Sequence, residues 1–199
     1  MKFNSDIDID FADRRLILAK IKSTPASIIT DAGSKEHNTG VYVTDVPVDS
    51  ANQRCALDYR QAEQRGYIKL DLLNVGLYQQ IRSEQHLVEL MQREPDWAKL
   101  YDPDFCKNLI HIGNHYDVLI KQPEAVNSIE RMAMFLAIIR PGKRHLQGRS
   151  WREVAASVWE RPADNSYYFK KSHSIAYSHL VIVNMNLLDL TNQRNTTTL

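Results

Sequence analysis

The 199-residue chain lacks most of the features that assign a protein quickly. It has two cysteines, Cys55 and Cys106, with no C-x-x-C pairing, which argues against a zinc ribbon or a disulfide framework. No apolar run approaches the roughly 18 residues that span a bilayer. The N-terminal stretch MKFNSDIDID is acidic and unlike a signal peptide. Walker loops, a serine-nucleophile elbow and a Cys-His pair are all missing. So are internal repeats and low-complexity linkers. These absences predict a cytoplasmic protein from a reducing compartment, with no membrane partner.

What is present is ordinary in bulk and uneven in placement. Hydrophobic residues at 43% and charged residues at 25% are globular values, which excludes a disordered, collagen-like or coiled-coil chain. Net charge is only +1. Yet residues 1–130 hold 15 Lys or Arg against 20 Asp or Glu, and residues 131–173 hold nine against three. An acidic part followed by a basic block suits a protein that holds cations with one part and phosphates with the other. A solvated helical face with chance clustering explains the same numbers.

Periodicity predicts strand-rich sequence first and helical sequence later, an α+β chain. Ser5 to Phe11 alternates with period two, so Asp6, Asp8 and Asp10 share one strand face and Ile7, Ile9 and Phe11 the other. A short helix is expected over residues 12–22, ended by Ser-Thr-Pro at 23–25. Strands are expected over 40–48 and 67–73, with Pro47 placing the first at an edge or bulge. Leu77, Ile81, Val88 and Met91 predict a helix over 75–94. Asn127-Ser-Ile-Glu130 and Ser150-Trp-Arg-Glu153 each resemble a capping box and predict helix starts. A last helix is expected from Ser172 to about Asp189, then a flexible polar tail over 191–199.

Three aspartates on one strand face repel one another, and a divalent cation relieves the conflict. Mg²⁺ takes hard oxygen ligands, typically one or two carboxylates plus substrate phosphates. Asp71, between Leu70 and Leu72 on another expected strand, is a fourth candidate, since a charge in a buried strand needs a partner. An aspartate pair on one strand and an aspartate on a distant strand suit two-metal phosphoryl transfer. A polar edge strand facing solvent is the plain alternative, although Asp is depleted in strands. Lys69, two residues before Asp71, would meet a phosphate or neutralise the aspartates.

Other clusters are weaker. His111 and His115 have i,i+4 spacing but lack the H-E-x-x-H glutamate, so two ordinary histidines are expected. Arg140, Lys143 and Arg144 follow a helix C-terminus, where the dipole favours cations anyway. Lys170, Lys171 and His173 stand at a helix start, where exposed N–H groups and lysines together favour phosphate.

These pieces, taken in order, resemble one family, the bacterial C-family replicative DNA polymerases (the DNA polymerase III α subunit). Ser5-Asp-Ile-Asp-Ile-Asp-Phe11 with Arg14-Arg15 resembles the palm motif PDIDIDF…RR, and His37-Asn-Thr-Gly40-Val-Tyr-Val43 the HxxGVV segment. Gly66-Tyr-Ile-Lys69-Leu-Asp71-Leu-Leu73 is similar to LxKFDFLGL. Ser128-Ile-Glu130 through Arg140-Pro-Gly142 resembles SIEDL…ALYRPGP, and Phe169-Lys-Lys171-Ser-His173-Ser-Ile-Ala-Tyr177 resembles FNKSHAxAY. The chain departs from the pattern at Ser5, Asn74 and Lys143, which stand where the motifs have proline, glycine and proline.

The resemblance implies a nucleotidyltransferase-like palm over 1–100, with a small mixed or antiparallel sheet carrying the aspartates. It implies a helical, basic, fingers-like region over 101–190. Asp6, Asp8 and Asp71 would ligate two Mg²⁺ ions, with Mn²⁺ as substitute, and Asp10 would be structural or auxiliary. Lys69, Arg140, Lys143, Lys170, Lys171 and His173 fall in or near the triphosphate and template region. The implied activity is DNA-directed DNA synthesis on primer-template DNA with dNTPs, in a bacterial or phage-infected cell. The family's upstream glycine-serine loop is expected from a second polymerase subunit in a split or phage-type enzyme. The alternatives are a non-catalytic DNA- or replisome-binding module and a template-independent nucleotidyltransferase.

Overall fold

The Asp-Ile alternation does form a strand, β1 (Ile7–Phe11), in a computed structural model that describes residues 7–164 and 166–197. The architecture is α+β, and the chain divides into two compact units at Ile81/Arg82. In the first unit β1 is followed by α1 (Arg14–Leu18), whose N-terminus is closed by the Asp13 carboxylate accepting from the Arg15 N–H at 3.0 Å. Then come β2 (Thr24–Thr30), β3 (Gly33–Tyr42), the short β4 (Val48–Asp49) and β5 (Arg54–Cys55), α2 (Tyr59–Gln64) and β6 (Leu70–Asn74).

Four of these strands form one mixed sheet in the order β1-β6-β3-β2. β1 lies parallel to β6, which pairs antiparallel with β3, and β3 pairs antiparallel with β2. β6 is therefore an inner strand, flanked by β1 and β3. A small core of Ala26, Tyr42, Cys55 and Ala62 packs with Val46, Leu57, Tyr59 and Tyr67. Burial pushes the Tyr42 phenol up to about 12.

Two expectations for this unit change. The expected strand over 40–48 begins earlier, at Gly33, and ends at Tyr42. Its partner β2 starts at Thr24, where Ser-Thr-Pro was expected only to stop a helix. The hairpin turns at Gly33 with φ +116°, a backbone conformation that glycine adopts without strain. Pro25 is accommodated because β2 is an outer strand and its register shifts between Pro25 and Ser27. The residues Gly33 to Asn38 are mostly exposed, so the hairpin leaves little apolar alternation to read.

The second unit is helical: α3 (Glu84–Gln92), α4 (Pro103–Cys106), α5 (Tyr116–Leu119), α6 (Ile129–Ile138), α7 (Trp151–Ser157) and α8 (Lys171–Thr197). The expected helix over 75–94 splits. Residues 76–80 form a 3₁₀ turn, Ile81 is extended, and the Ser83 hydroxyl restarts the chain as α3 by accepting from the His86 N–H. Ser128 caps α6, and Ser150 with Glu153 forms a reciprocal capping box on α7. α8 starts at Lys171 and continues through Thr197, so most of the expected tail is helical.

The core of this unit is built on α6, where Met132, Phe135, Leu136 and Ile138 are fully buried and join Val181 and Met185 of α8. Two buried asparagines fix α8 against its surroundings. Asn184 accepts from the Ile110 N–H at 2.8 Å. The Asn186 amide donates to the Leu90 and Arg93 carbonyls, both at 2.8 Å, and so closes the C-terminus of α3. Residues 82–100 thus belong to the helical unit, and the division falls at Ile81/Arg82 instead of near residue 100. Among the described residues no helix is long and apolar enough to cross a membrane.

Replacing Asn186 by leucine keeps the branched shape of the side chain and leaves the buried Leu90 and part-buried Arg93 carbonyls without their donor. The expected loss is about 1–3 kcal/mol, read by urea denaturation, with the unfolding slope unchanged.

Candidate functional site

The sheet register places Asp8 of β1 directly beside Asp71 of β6. Partners in a parallel ladder share a face, so the two carboxylate-bearing residues stand on the same side of the sheet, one strand apart. Asp10 lies two residues further along that face, beside Leu73. Asp6 lies outside the described residues.

The three described aspartates have different surroundings. Asp8 is exposed, whereas Asp71 is buried at 8% exposure. Asp10 is half-buried, and its carboxyl is raised above the ordinary aspartate value, first by burial and then by the Asp8 charge. A side-chain hydrogen bond from Tyr78 opposes that rise. Asp10 therefore has a partner of its own.

Asp71 is surrounded by three side chains. The Thr39 hydroxyl donates to Oδ1 at 2.7 Å, and the Lys69 ammonium pairs with Oδ2. His37 Nδ1 lies 3.7 Å from Oδ1. That nitrogen accepts from the Gly40 N–H at 3.0 Å, so it carries no proton of its own there. Burial first, then the Lys69 charge, holds the His37 imidazole below its usual value. Its ring stands edge-on to Tyr59 at 5.1 Å.

Gly40, opposite Asp71 in the β3–β6 ladder, completes the enclosure. A β-carbon there would lie 2.7 Å from Lys69 Cδ and 3.0 Å from His37 Nδ1. The missing side chain is the space through which the lysine stem passes. At the strand ends, the Asn74 side chain accepts from the Arg14 N–H at 2.7 Å, and the Arg14 guanidinium donates to the Asn38 and Leu72 carbonyls. Arg14 thus ties β3 and β6 to the segment after β1.

Carboxylate and hydroxyl oxygens are the donors that Mg²⁺ takes, so the chemistry of Asp8, Asp71 and Thr39 fits that ion. Among the described residues, no group of three His, Cys, Asp or Glu side chains is gathered in metal-binding geometry.

In the helical unit the basic residues separate into different kinds. Arg140 is half-buried with its guanidinium 4.0 Å from the centre of the Phe169 ring. Its Nε is buried without a hydrogen-bond partner, and burial lowers its pKa from the arginine value. Phe169 stacks on Tyr177, which packs against His111 at 4.5 Å. Arg140 is thereby held beside the residue that precedes Lys170. Lys171 is exposed at the start of α8, and Lys170 and His173 are half-buried there.

Lys143 differs from these. It is buried at 4% exposure, and its ammonium donates to the Ser157 carbonyl at 2.6 Å, near the end of α7. Burial lowers its pKa. It is engaged in holding the fold. His111 and His115 both feel the Arg140 charge, which disfavours a further cation between them.

Thr39 and His37 are the site residues that residue-by-residue reading missed as functional candidates. Their signal was faint: an H-x-T-G run that becomes informative only once β3 is known to pair with β6 at Gly40 and Asp71. No family model matches the chain, and no curated protein or solved structure matches it.

His111 supplies a pH test of the helical unit. Burial, with the Arg140 charge, pushes its imidazole down to about 4. The unfolded chain takes up this proton near pH 6.5, while the fold refuses it until about pH 4. Stability should therefore fall as pH drops from about 6.5 towards 4. His111→Phe should flatten that part of the curve in chemical denaturation across pH.

Proposed function

We propose that this chain performs, or contributes to, metal-dependent nucleotidyl transfer on DNA, as the polymerase resemblance implies. The observation that carries the reading is the in-register pairing of Asp8 with Asp71 on adjoining parallel strands. Two aspartates 63 positions apart in sequence meet on one sheet face, which is the convergence a phosphoryl-transfer metal site needs.

Asp8 and Asp71 would hold the metal, with Asp6 adding a ligand from the same sequence motif. Bound Mg²⁺ supplies Lewis-acid stabilisation of phosphate oxygens and activation of the attacking hydroxyl. Thr39 holds the Asp71 carboxylate in one orientation through Oδ1. Asp10, bonded to Tyr78, keeps to a supporting part beside the pair. Arg140, Lys170, Lys171 and His173 would bind phosphate oxygens of DNA or of an incoming dNTP. Lys143 drops out of that set because its ammonium is taken by Ser157.

Primer extension with Mg²⁺, by the chain alone and with the products of neighbouring genes, tests the reading. Asp8→Ala should lower extension by about a hundredfold or more. Extension that survives this change would remove the aspartates from the mechanism. Salt-dependent DNA binding with no extension in any combination favours a binding module.

The basic residues make a separate prediction in the same binding assay. Lys171→Ala should reduce the slope of log affinity against log salt by about one. Lys143→Met should leave the slope unchanged and lower thermal stability instead.

A further inference from the structure

The two oxygens of the Asp71 carboxylate are held by groups of opposite character. Oδ1 takes a hydroxyl from Thr39, a β-branched residue on β3 with a short, stiff side chain. Oδ2 takes the ammonium of Lys69, which sits at the end of a flexible four-carbon stem just ahead of β6. One contact belongs to the sheet, and the other can swing away.

The lysine contact is also well sheltered. Side-chain exposure is 17% for Lys69 and 12% for Asp71, so salt screens the pair weakly. The Lys69 stem passes over Gly40, where a β-carbon would meet it. His37 cannot replace the lysine, because its Nδ1 is an acceptor already used by the Gly40 N–H.

We propose that Lys69 is a tethered place-holder cation: a divalent metal reaches Asp71 only by displacing the Lys69 ammonium from Oδ2, while Thr39 keeps Oδ1. This rests on the metal-dependent reading above and adds a rule for how the site fills. Metal affinity is then a competition between a solution cation and a built-in one. The lysine leaves the carboxylate when the metal arrives, and a released ammonium stands ready for an anion that the metal brings.

Mn²⁺ binding, followed by loss of the free-ion electron paramagnetic resonance signal, tests the proposal without any turnover. Asp71→Asn should abolish the site. Lys69→Met should tighten Mn²⁺ by about tenfold, the size expected when one sheltered ion pair no longer has to be broken. Thr39→Val should weaken binding several-fold, and Thr39→Ser should restore it. In the unmodified protein, Mn²⁺ should raise the rate at which acetic anhydride labels Lys69 several-fold, read by peptide mass spectrometry, with exposed Lys35 as the reference.

Mn²⁺ binding that is lost in Asp71→Asn but equal or weaker in Lys69→Met overturns the place-holder and leaves the metal reading standing. Unchanged labelling of Lys69 in the Mn²⁺-bound protein does the same, even where Lys69→Met does not fold. Absence of Mn²⁺ binding in both the unmodified protein and Lys69→Met overturns the metal reading together with the inference.

Discussion

A carboxylate buried on an inner strand must be neutralised where it stands, and Asp71 sets that demand for the first unit. Desolvating an unpaired carboxylate costs several kcal/mol, enough to consume a large share of a small domain's stability. The sheet meets the demand with local means: an ammonium two residues away, a hydroxyl from the next strand, and a glycine that leaves room for the lysine stem. The pairing β6-β3 serves the same requirement, since β3 brings Thr39 and Gly40 beside Asp71, while β1 sets a second carboxylate-bearing residue, Asp8, in register with it. Site and sheet are one construction.

The helical unit handles buried polarity differently. Its core is apolar and built on α6, and several of the polar groups inside it close helix ends or stack on rings. Asn186 satisfies the C-terminus of α3, and Lys143 serves a carbonyl of α7. Arg140 offsets lost solvation by lying over Phe169, and His111 packs against Tyr177 as a neutral ring. Lys143 is a buried cation that satisfies a carbonyl, whereas Arg140 lies on an aromatic face with its Nε unbonded. Lys143 and Arg140, three residues apart, fall on opposite sides of that division.

Much of the framework was legible in the sequence where local physics dominates. Period-two alternation marked β1, and the run Tyr-Ile-Lys-Leu-Asp-Leu-Leu at 67–73 marked β6. Asn127-Ser-Ile-Glu130 and Ser150-Trp-Arg-Glu153 marked helix starts because capping acts within three residues, although Ser128, not Asn127, is the cap of α6. The β2–β3 hairpin was hidden because an exposed two-stranded ribbon needs no apolar alternation, and Pro25 reads as a stop unless an edge position is known. The split at Ile81 was hidden for a similar reason: Leu77 and Ile81 keep helical spacing across a 3₁₀ turn and an extended residue. Lys143 looked like any surface cation, because nothing in its neighbours' identities announces that Ser157 will take its ammonium.

The sequence by itself determined the inventory: an acidic, strand-rich part, a basic, helical part, and aspartates at alternate positions with another deep in a hydrophobic strand. Those follow from composition and periodicity, which act over a few residues. Only the tertiary structure decided that Asp8 and Asp71 share a face, that Asp10 belongs to Tyr78, and that Asp71 is held by Thr39 and Lys69 at once. The reason is physical. Register between strands whose paired residues lie 63 positions apart, and the burial of a particular ammonium, depend on how whole elements pack, and no short window of sequence contains that information.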